Sequence, residues 1–234
     1  MITLKLHANV LKKIFLSAKK ARQGKYSYEE LVIDGLKILD MMRNVGCKVI
    51  IKGFENLNGL NPPCVFIANH MSTLETLVLP GVIGKDFKVT FVVKKSLLNY
   101  PFFGKVLSAL NPIPVNRKNP KEDYKVVMEE GLKRLKEGVS VIVFPQATRQ
   151  LVFDPNKFNT LGIKLAKKGE VPIVPIALKT DAWGIGKIIK DFGKIDPTKT
   201  ICFFIGRPME IKSKGIDEHI ETINFIAQSL QKCK

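Results

Sequence analysis

Hydrophobic and polar positions repeat with two different periods along the chain, and the change comes near residue 47. Before it the spacing is helical. Residues 3–22 carry Leu4, Leu11, Ile14, Phe15 and Ala18 toward one side, with Lys5, Lys12, Lys13, Lys19, Lys20 and Arg22 supplying charge, which predicts a basic amphipathic helix closed at Gly24. A second helix is predicted after Ser27, with Ser27 and Glu30 as a capping box and Leu31, Leu36, Leu39 and Met42 as an apolar stripe reaching about Val45. Residues 1–46 therefore read as a helical hairpin. Packing on a core and lying on a membrane both need an apolar face, so the pattern leaves the two uses open.

From residue 47 short β-rich runs alternate with helical stretches. Lys48–Lys52, Cys64–Ala68, Val89–Val93, Ile113–Val115, Val139–Phe144, Ile173–Leu178 and Thr200–Ile205 predict strands, several almost purely apolar, as strands covered on both faces tend to be. Asn119 and Pro120 open a helix that Gly138 closes; residues 158–168 predict another, ending at Gly169, and about Asp217 to Lys232 a last one. The alternation predicts an α/β fold, a single layered domain over residues 47–234 with a mostly parallel or mixed central sheet flanked by helices. With 45% hydrophobic residues, a chain of 234 fills one sizeable core.

The formal charge of +17 narrows the partners to polyanions: nucleic acid, anionic membrane or phosphorylated substrates. Nucleic acid rests on charge alone and is set aside. No RNA-recognition, zinc-finger or phosphate-loop signature is present, and Gly184-Ile185-Gly186 is too short for a dinucleotide fingerprint. No window of about 18 apolar residues escapes polar interruption, so no spanning helix is predicted and any membrane contact is expected to be peripheral, at a cytoplasmic face. Cys47, Cys64, Cys202 and Cys233 lack metal-ligand spacing and read as thiols in a reducing compartment, and no metal site is expected.

The most informative stretch is Val65-Phe66-Ile67-Ala68-Asn69-His70-Met71-Ser72-Thr73-Leu74-Glu75, where a buried-type strand runs into a polar turn holding one of only three histidines. His70 can take a proton from a hydroxyl at neutral pH, and a carboxylate on its far ring nitrogen would hold the tautomer. Glu75 meets it only if His70 lies in the turn and Glu75 in the first turn of the next helix. Ser72 to Glu75 also spells a capping box, so capping and catalysis compete for this carboxylate. Three further segments stand out: Asn111 to Arg117, Val143 to Arg149, and Val171 to Ile176. Two of them are strands ending in an arginine-bearing turn, a form suited to phosphate, although a single Arg117 or Arg149 is more often a solvated charge.

In this order and spacing, the four stretches resemble the glycerolipid acyltransferase family that includes 1-acylglycerol-3-phosphate acyltransferases. The family's H-x-x-x-x-D/E motif falls on His70 and Glu75, its arginine-ending block on Ile113 to Arg117, its F-P-E-G-T-R block on Phe144 to Arg149, and its V-P-I-V-P block on Val171 to Pro175. The resemblance spans roughly residues 48 to 210 and is specific as a set. It implies direct acyl transfer from acyl-CoA or acyl carrier protein to the hydroxyl of a lysophospholipid acceptor, in phospholipid biosynthesis and without a further cofactor. His70 would be the general base and Glu75 its orienting carboxylate. Arg117, Gln146, Ala147, Thr148 and Arg149 would surround the acceptor, with Lys105, Lys94 and Lys95 adding positive charge at the mouth.

The sequence departs from the family at Gln146 and Ala147, which stand where the family has glutamate and glycine. A charged acceptor contact becomes neutral and a permissive backbone position gains a methyl group. The alternative to an enzyme is a lipid-binding module at the membrane surface whose altered third block has lost catalysis; intact His70 and Glu75 oppose it. The region Ile188–Asp191 reads as scaffold, and Trp183 as an aromatic of core or interface.

Overall fold

The computed structural model describes residues 2–187 and 189–233. It opens with helices α1 (Ile2–Arg22) and α2 (Tyr28–Asn44), the second started by the Ser27 hydroxyl accepting the Glu30 N–H at 3.3 Å. Seven strands follow: β1 (Val49–Lys52), β2 (Val65–Ala68), β3 (Val89–Lys94), β4 (Ile113–Val115), β5 (Ser140–Val143), β6 (Ile173–Lys179) and β7 (Ile201–Ile205). The remaining helices are α3 (Leu74–Ile83), α4 (Phe103–Ser108), α5 (Pro120–Lys136), α6 (Leu161–Gly169) and α7 (Ile216–Lys232). Residues 158–160 stay outside α6 because Asn159 acts locally: its Oδ1 accepts from Leu161 N–H at 2.9 Å while its amide donates to the Pro145 carbonyl.

The strands form one sheet in the order β1-β7-β6-β2-β5-β3-β4. All neighbours are parallel except β6 and β7, which pair antiparallel. The all-apolar runs are explained by this placement: β2, β5 and β7 are buried along their whole length, with helices on both faces. Phe66, Phe91 and Phe203 look toward the layer of α1 to α4, and Val65, Ile67 and Val143 toward α5 to α7. Each such side chain contributes about 1.5–3 kcal/mol.

The N-terminal helices share the first of these cores. Leu6, Val10, Ile14, Leu31, Ile38, Leu39 and Met42 are buried in it. α2 crosses α3 closely enough that a Cβ on Gly35 would lie 2.9 Å from the Leu77 carbonyl, and one on Gly81 2.7 Å from the Leu36 amide. This contact turns Leu36 outward, contrary to the stripe expected for α2. α1 likewise buries Leu6, Val10, Ile14 and Ala18, whereas the expected Leu4, Leu11 and Phe15 are exposed. The helix is apolar on two sides, and only one packs inward.

Of the four cysteines, Cys47 and Cys64 are free and buried. The expectation of thiols throughout is corrected at Cys202 and Cys233, which form a disulfide between β7 and the end of α7, their Cα atoms 6.1 Å apart. A separation of 31 residues gives no sign of this pairing, because only the return of α7 across the sheet brings the two together.

Candidate active site

Because β2 to β6 run parallel, the turns that leave their carboxyl ends open on one edge of the sheet, the usual place for a site in such folds. His70 follows β2, Arg117 follows β4, and Gln146 to Arg149 follow β5. Three stretches far apart in sequence thus meet through strand order, whereas Val171 to Ile176 leads into and forms the first part of β6.

The turn after β2 is pinned by Asn69, whose buried amide donates to the Leu178 carbonyl at 2.8 Å and accepts the Leu178 N–H at 2.7 Å. Next to it, His70 Nδ1 lies 2.5 Å from Glu75 Oε2. Glu75 is fully buried. Its other oxygen accepts the N–H groups of Met71 at 2.8 Å and Ser72 at 3.1 Å and a hydroxyl bond from Thr180. A carboxylate surrounded by donors is held as an acceptor, so His70 donates from Nδ1 and keeps the Nε2 lone pair for a proton. Capping and orientation, alternatives on the sequence, coexist: one oxygen binds the backbone before α3 and the other the imidazole. The ring lies over Phe144 at 4.4 Å between centroids, which in turn stacks on Phe91.

The turn after β5 grips the backbone of His70. Gln146 Oε1 accepts the His70 N–H at 3.0 Å, and the Gln150 N–H donates to the His70 carbonyl at 2.8 Å. Gln146 is buried, and its amide nitrogen donates to Gln150 at 3.3 Å. The amide oxygen supplies the acceptor that a glutamate would supply, without its charge. Ala147 holds a left-handed φ of 58° that a glycine would adopt freely; with its methyl group this costs about 1–2 kcal/mol. Ala147 and Thr148 are exposed at the tip.

Arg117 has the same left-handed φ of 58°, stabilised because Asp123, in the first turn of α5, accepts the N–H groups of Asn116 at 2.9 Å and Arg117 at 2.8 Å. Burial, and after Asp123's opposing attraction the like charge of Arg149, hold the Arg117 guanidinium below its ordinary pKa. Arg149 is thus close enough to act on Arg117 electrostatically. Arg149 is held by Asp191 at 2.9 Å and donates to Thr73 and, at 3.3 Å, to the Lys190 carbonyl. Asp191 thus belongs to the site and not to inert scaffold; Ile188, read with it, lies outside the described residues. Lys105, Lys94 and Lys95 are exposed and take no part in this network.

Thr73 and Asp191 also stand at the wall of an apolar cavity of about 200 Å³, lined by Val10 and Ile14 of α1, Leu77 of α3, Phe102 and Trp183. Trp183 is fully buried. Asn69, Thr73, Thr180 and Asp191 escaped sequence reasoning: each is a single polar residue in no spaced pattern. Among the described residues, no group of three or more His, Cys, Asp or Glu side chains could hold a metal ion.

Comparison with known proteins identifies a family and a fold. The family model described as Acyltransferase matches residues 48–179. The chain is 37% identical over 132 residues to a 1-acyl-sn-glycerol-3-phosphate acyltransferase of Pseudomonas aeruginosa, covering 56% of this chain and 49% of that one. It is 30% identical over 202 residues to a protein of the same name from Saccharomyces cerevisiae, covering 82% of this chain and 64% of the relative. The chain spans about half, or less, of the length of several curated relatives it matches, at 49%, 39% and 38%. Its fold is shared with the crystal structure of the 1-acyl-sn-glycerophosphate (LPA) acyltransferase PlsC from Thermotoga maritima, with a TM-score of 0.76 at 19% identity over 99% of this chain and 94% of that one.

Proposed function

For this chain, which belongs to the acyltransferase family, we propose transfer of a fatty acyl group from a thioester donor to the hydroxyl of a 1-acylglycerol-3-phosphate-type acceptor. The observation that carries the reading is the paired geometry of His70 and Glu75, at the sheet edge where the arginine-bearing turns after β4 and β5 also open. The acceptor head group follows the names of the relatives.

In this mechanism the acceptor hydroxyl gives its proton to His70 Nε2 as its oxygen attacks the thioester carbonyl. Glu75, already bonded to four donors, stabilises the imidazolium without moving. The tetrahedral intermediate collapses, the C–S bond breaks, and the thiolate takes the proton from His70. No acyl-enzyme is formed, and the donor, an ester of coenzyme A or of acyl carrier protein, is the only co-substrate. Arg117 and Arg149 bind the acceptor phosphate, Thr148 adds a hydroxyl at the exposed tip, and the apolar cavity receives part of an acyl chain.

No described helix is long and apolar enough to cross a membrane. Docking on an anionic membrane surface is supported by the outer row of α1. Leu4 is 78% exposed, Leu11 48% and Phe15 49%, with lysines beside them. Phe15 meets Phe102 at 5.0 Å, and Arg22 lies over the same ring, extending the row to the mouth of the cavity.

The test is thiol release by the purified chain from a long-chain acyl-CoA, and separately from an acyl carrier protein ester, over a panel of lysophospholipids. Acceptor-dependent release that falls by about 10²–10⁴ in His70→Ala is the expected result. Absence of turnover with every donor and acceptor would leave a lipid-binding module instead.

A further inference from the structure

The connection between β6 and β7 doubles back on itself. Trp183 and Ile195 bridge its base, the Gly184 N–H donates to the Lys194 carbonyl at 2.9 Å, and a Cβ on Gly193 would fall 2.0 Å from the Gly184 carbonyl, so only glycine closes it. Near its end the loop presents Asp191. One oxygen of that carboxylate meets Arg149 Nη1 at 2.9 Å and accepts the Thr73 hydroxyl at 3.1 Å, and the Asp191 carbonyl accepts from the Trp183 indole N–H at 2.9 Å.

Every protein contact of the Arg149 guanidinium among the described residues is made through Nη1. Nη2 and Nε remain free. That edge offers two parallel N–H donors, the arrangement that binds a phosphate bidentately. An arginine already held in one rotamer loses less entropy on binding than a free one.

The loop is itself fastened to α1. His7, buried, donates from Nε2 to the Gly193 carbonyl at 2.7 Å and sets its ring edge-on to Trp183 at 4.8 Å and Phe192 at 5.2 Å. One turn earlier, Thr3 Oγ1 accepts the Ile195 N–H at 3.1 Å.

Building on the acceptor proposed above, we propose that Asp191 is a positioning residue for phosphate recognition: it locks Arg149 through Nη1 so that the opposite edge meets the acceptor, and α1 holds Asp191 in place through His7. The first helix is then part of the acceptor site as well as of the surface.

The experiment is steady-state kinetics of the full chain with acyl-CoA and 1-acylglycerol-3-phosphate, beside equilibrium binding of sn-glycerol 3-phosphate, which reads the head group without turnover. Asp191→Asn keeps the shape and removes the charge, and about a ten-fold or larger rise in acceptor KM is expected, the size of one lost charge-assisted hydrogen bond. The kcat stays within about two-fold and the donor KM does not move, because the carboxylate bears on Arg149 and Thr73 and on no group that takes part in the acyl transfer. Asp191→Glu recovers part of the loss. In an Arg149→Gln background Asp191→Asn adds nothing further to weakened head-group binding, as coupled residues require. His7→Phe, which keeps the ring contacts and drops the bond to Gly193, raises acceptor KM in the same direction and stands in for Asp191→Asn if that variant does not fold. An unchanged acceptor KM, a fall in it, or a donor KM rising equally would overturn the proposal. If the parent transfers to no acceptor, the acyltransferase reading fails by itself; head-group binding weakened by Asp191→Asn would still support the role of Asp191, and binding insensitive to it would end that role too.

Discussion

Glu75 gives one carboxylate oxygen to His70 Nδ1 and the other to the backbone N–H groups of Met71 and Ser72, so it orients the imidazole and the turn that carries it. The two tasks cannot be separated by moving the side chain.

They can be separated by chemistry. In Glu75→Gln the amide oxygen still serves the two backbone donors, but the amide nitrogen faces His70 and donates to Nδ1. The proton shifts to Nε2 and the base is lost. The expected result is a drop in kcat of about 10²–10⁴ with little change in either KM, measured by thiol release on protein whose circular dichroism matches the parent.

Gln146 holds His70 by its backbone N–H, so the expectation is that the proposed activity needs an acceptor oxygen at this position and not a charge. Gln146→Glu keeps the oxygen and is expected to stay within a few-fold of the parent. Gln146→Leu leaves the N–H unpaired at a buried place, which costs about 1–3 kcal/mol in urea unfolding and lowers kcat. Equal turnover in the leucine variant would refute the role.

Folding holds several acids in their protonated forms, Tyr28 and Cys64 among them, as it does Tyr26 and Cys47. Burial pushes the Tyr28 hydroxyl from about 10 up to about 12 and the Cys64 thiol from about 9 up to about 12. Between those limits the unfolded chain has lost protons that the folded one retains, so stability is complete below about pH 9 and declines as pH rises toward 12. The urea midpoint of the parent should therefore fall across this range more steeply than that of Tyr28→Phe/Cys64→Ala. Neutralisation of surface lysines acts on both proteins and cancels in the comparison.

Removing α1 to test membrane docking would unfold the domain, since Leu6, Val10 and Ile14 belong to its core. Leu11→Asp/Phe15→Asp changes the outer row, at the rim of the cavity that Leu11 and Phe102 line, and leaves the buried Leu6, Val10 and Ile14 in place. Binding to vesicles containing anionic phospholipid is expected to weaken with rising salt for the parent, and about ten-fold or more for the variant at fixed salt, as two apolar side chains each worth roughly 1.5–3 kcal/mol no longer insert. Equal binding by both proteins would locate the docking face elsewhere.

Period and punctuation sufficed for the elements of this protein: all seven strands were predicted within one or two residues, and Ser27, Asn119 and Pro120 start helices where expected. Local hydrogen-bond chemistry and alternation are properties of neighbours in sequence, which is why they are readable there. His70 and Glu75 were legible for the same reason, being only five residues apart. What joins distant segments was not. Strand order decides that the turns after β2, β4 and β5 meet. The close crossing of α2 on α3 decides which face of α2 is inside, so that Gly35 packs and Leu36 does not. The return of α7 pairs Cys202 with Cys233, and the fold of one loop turns Asp191 onto Arg149. Each is a contact between residues whose spacing in the chain carries no period, and free energy at such places depends on what lies opposite in space, which only the tertiary structure supplies.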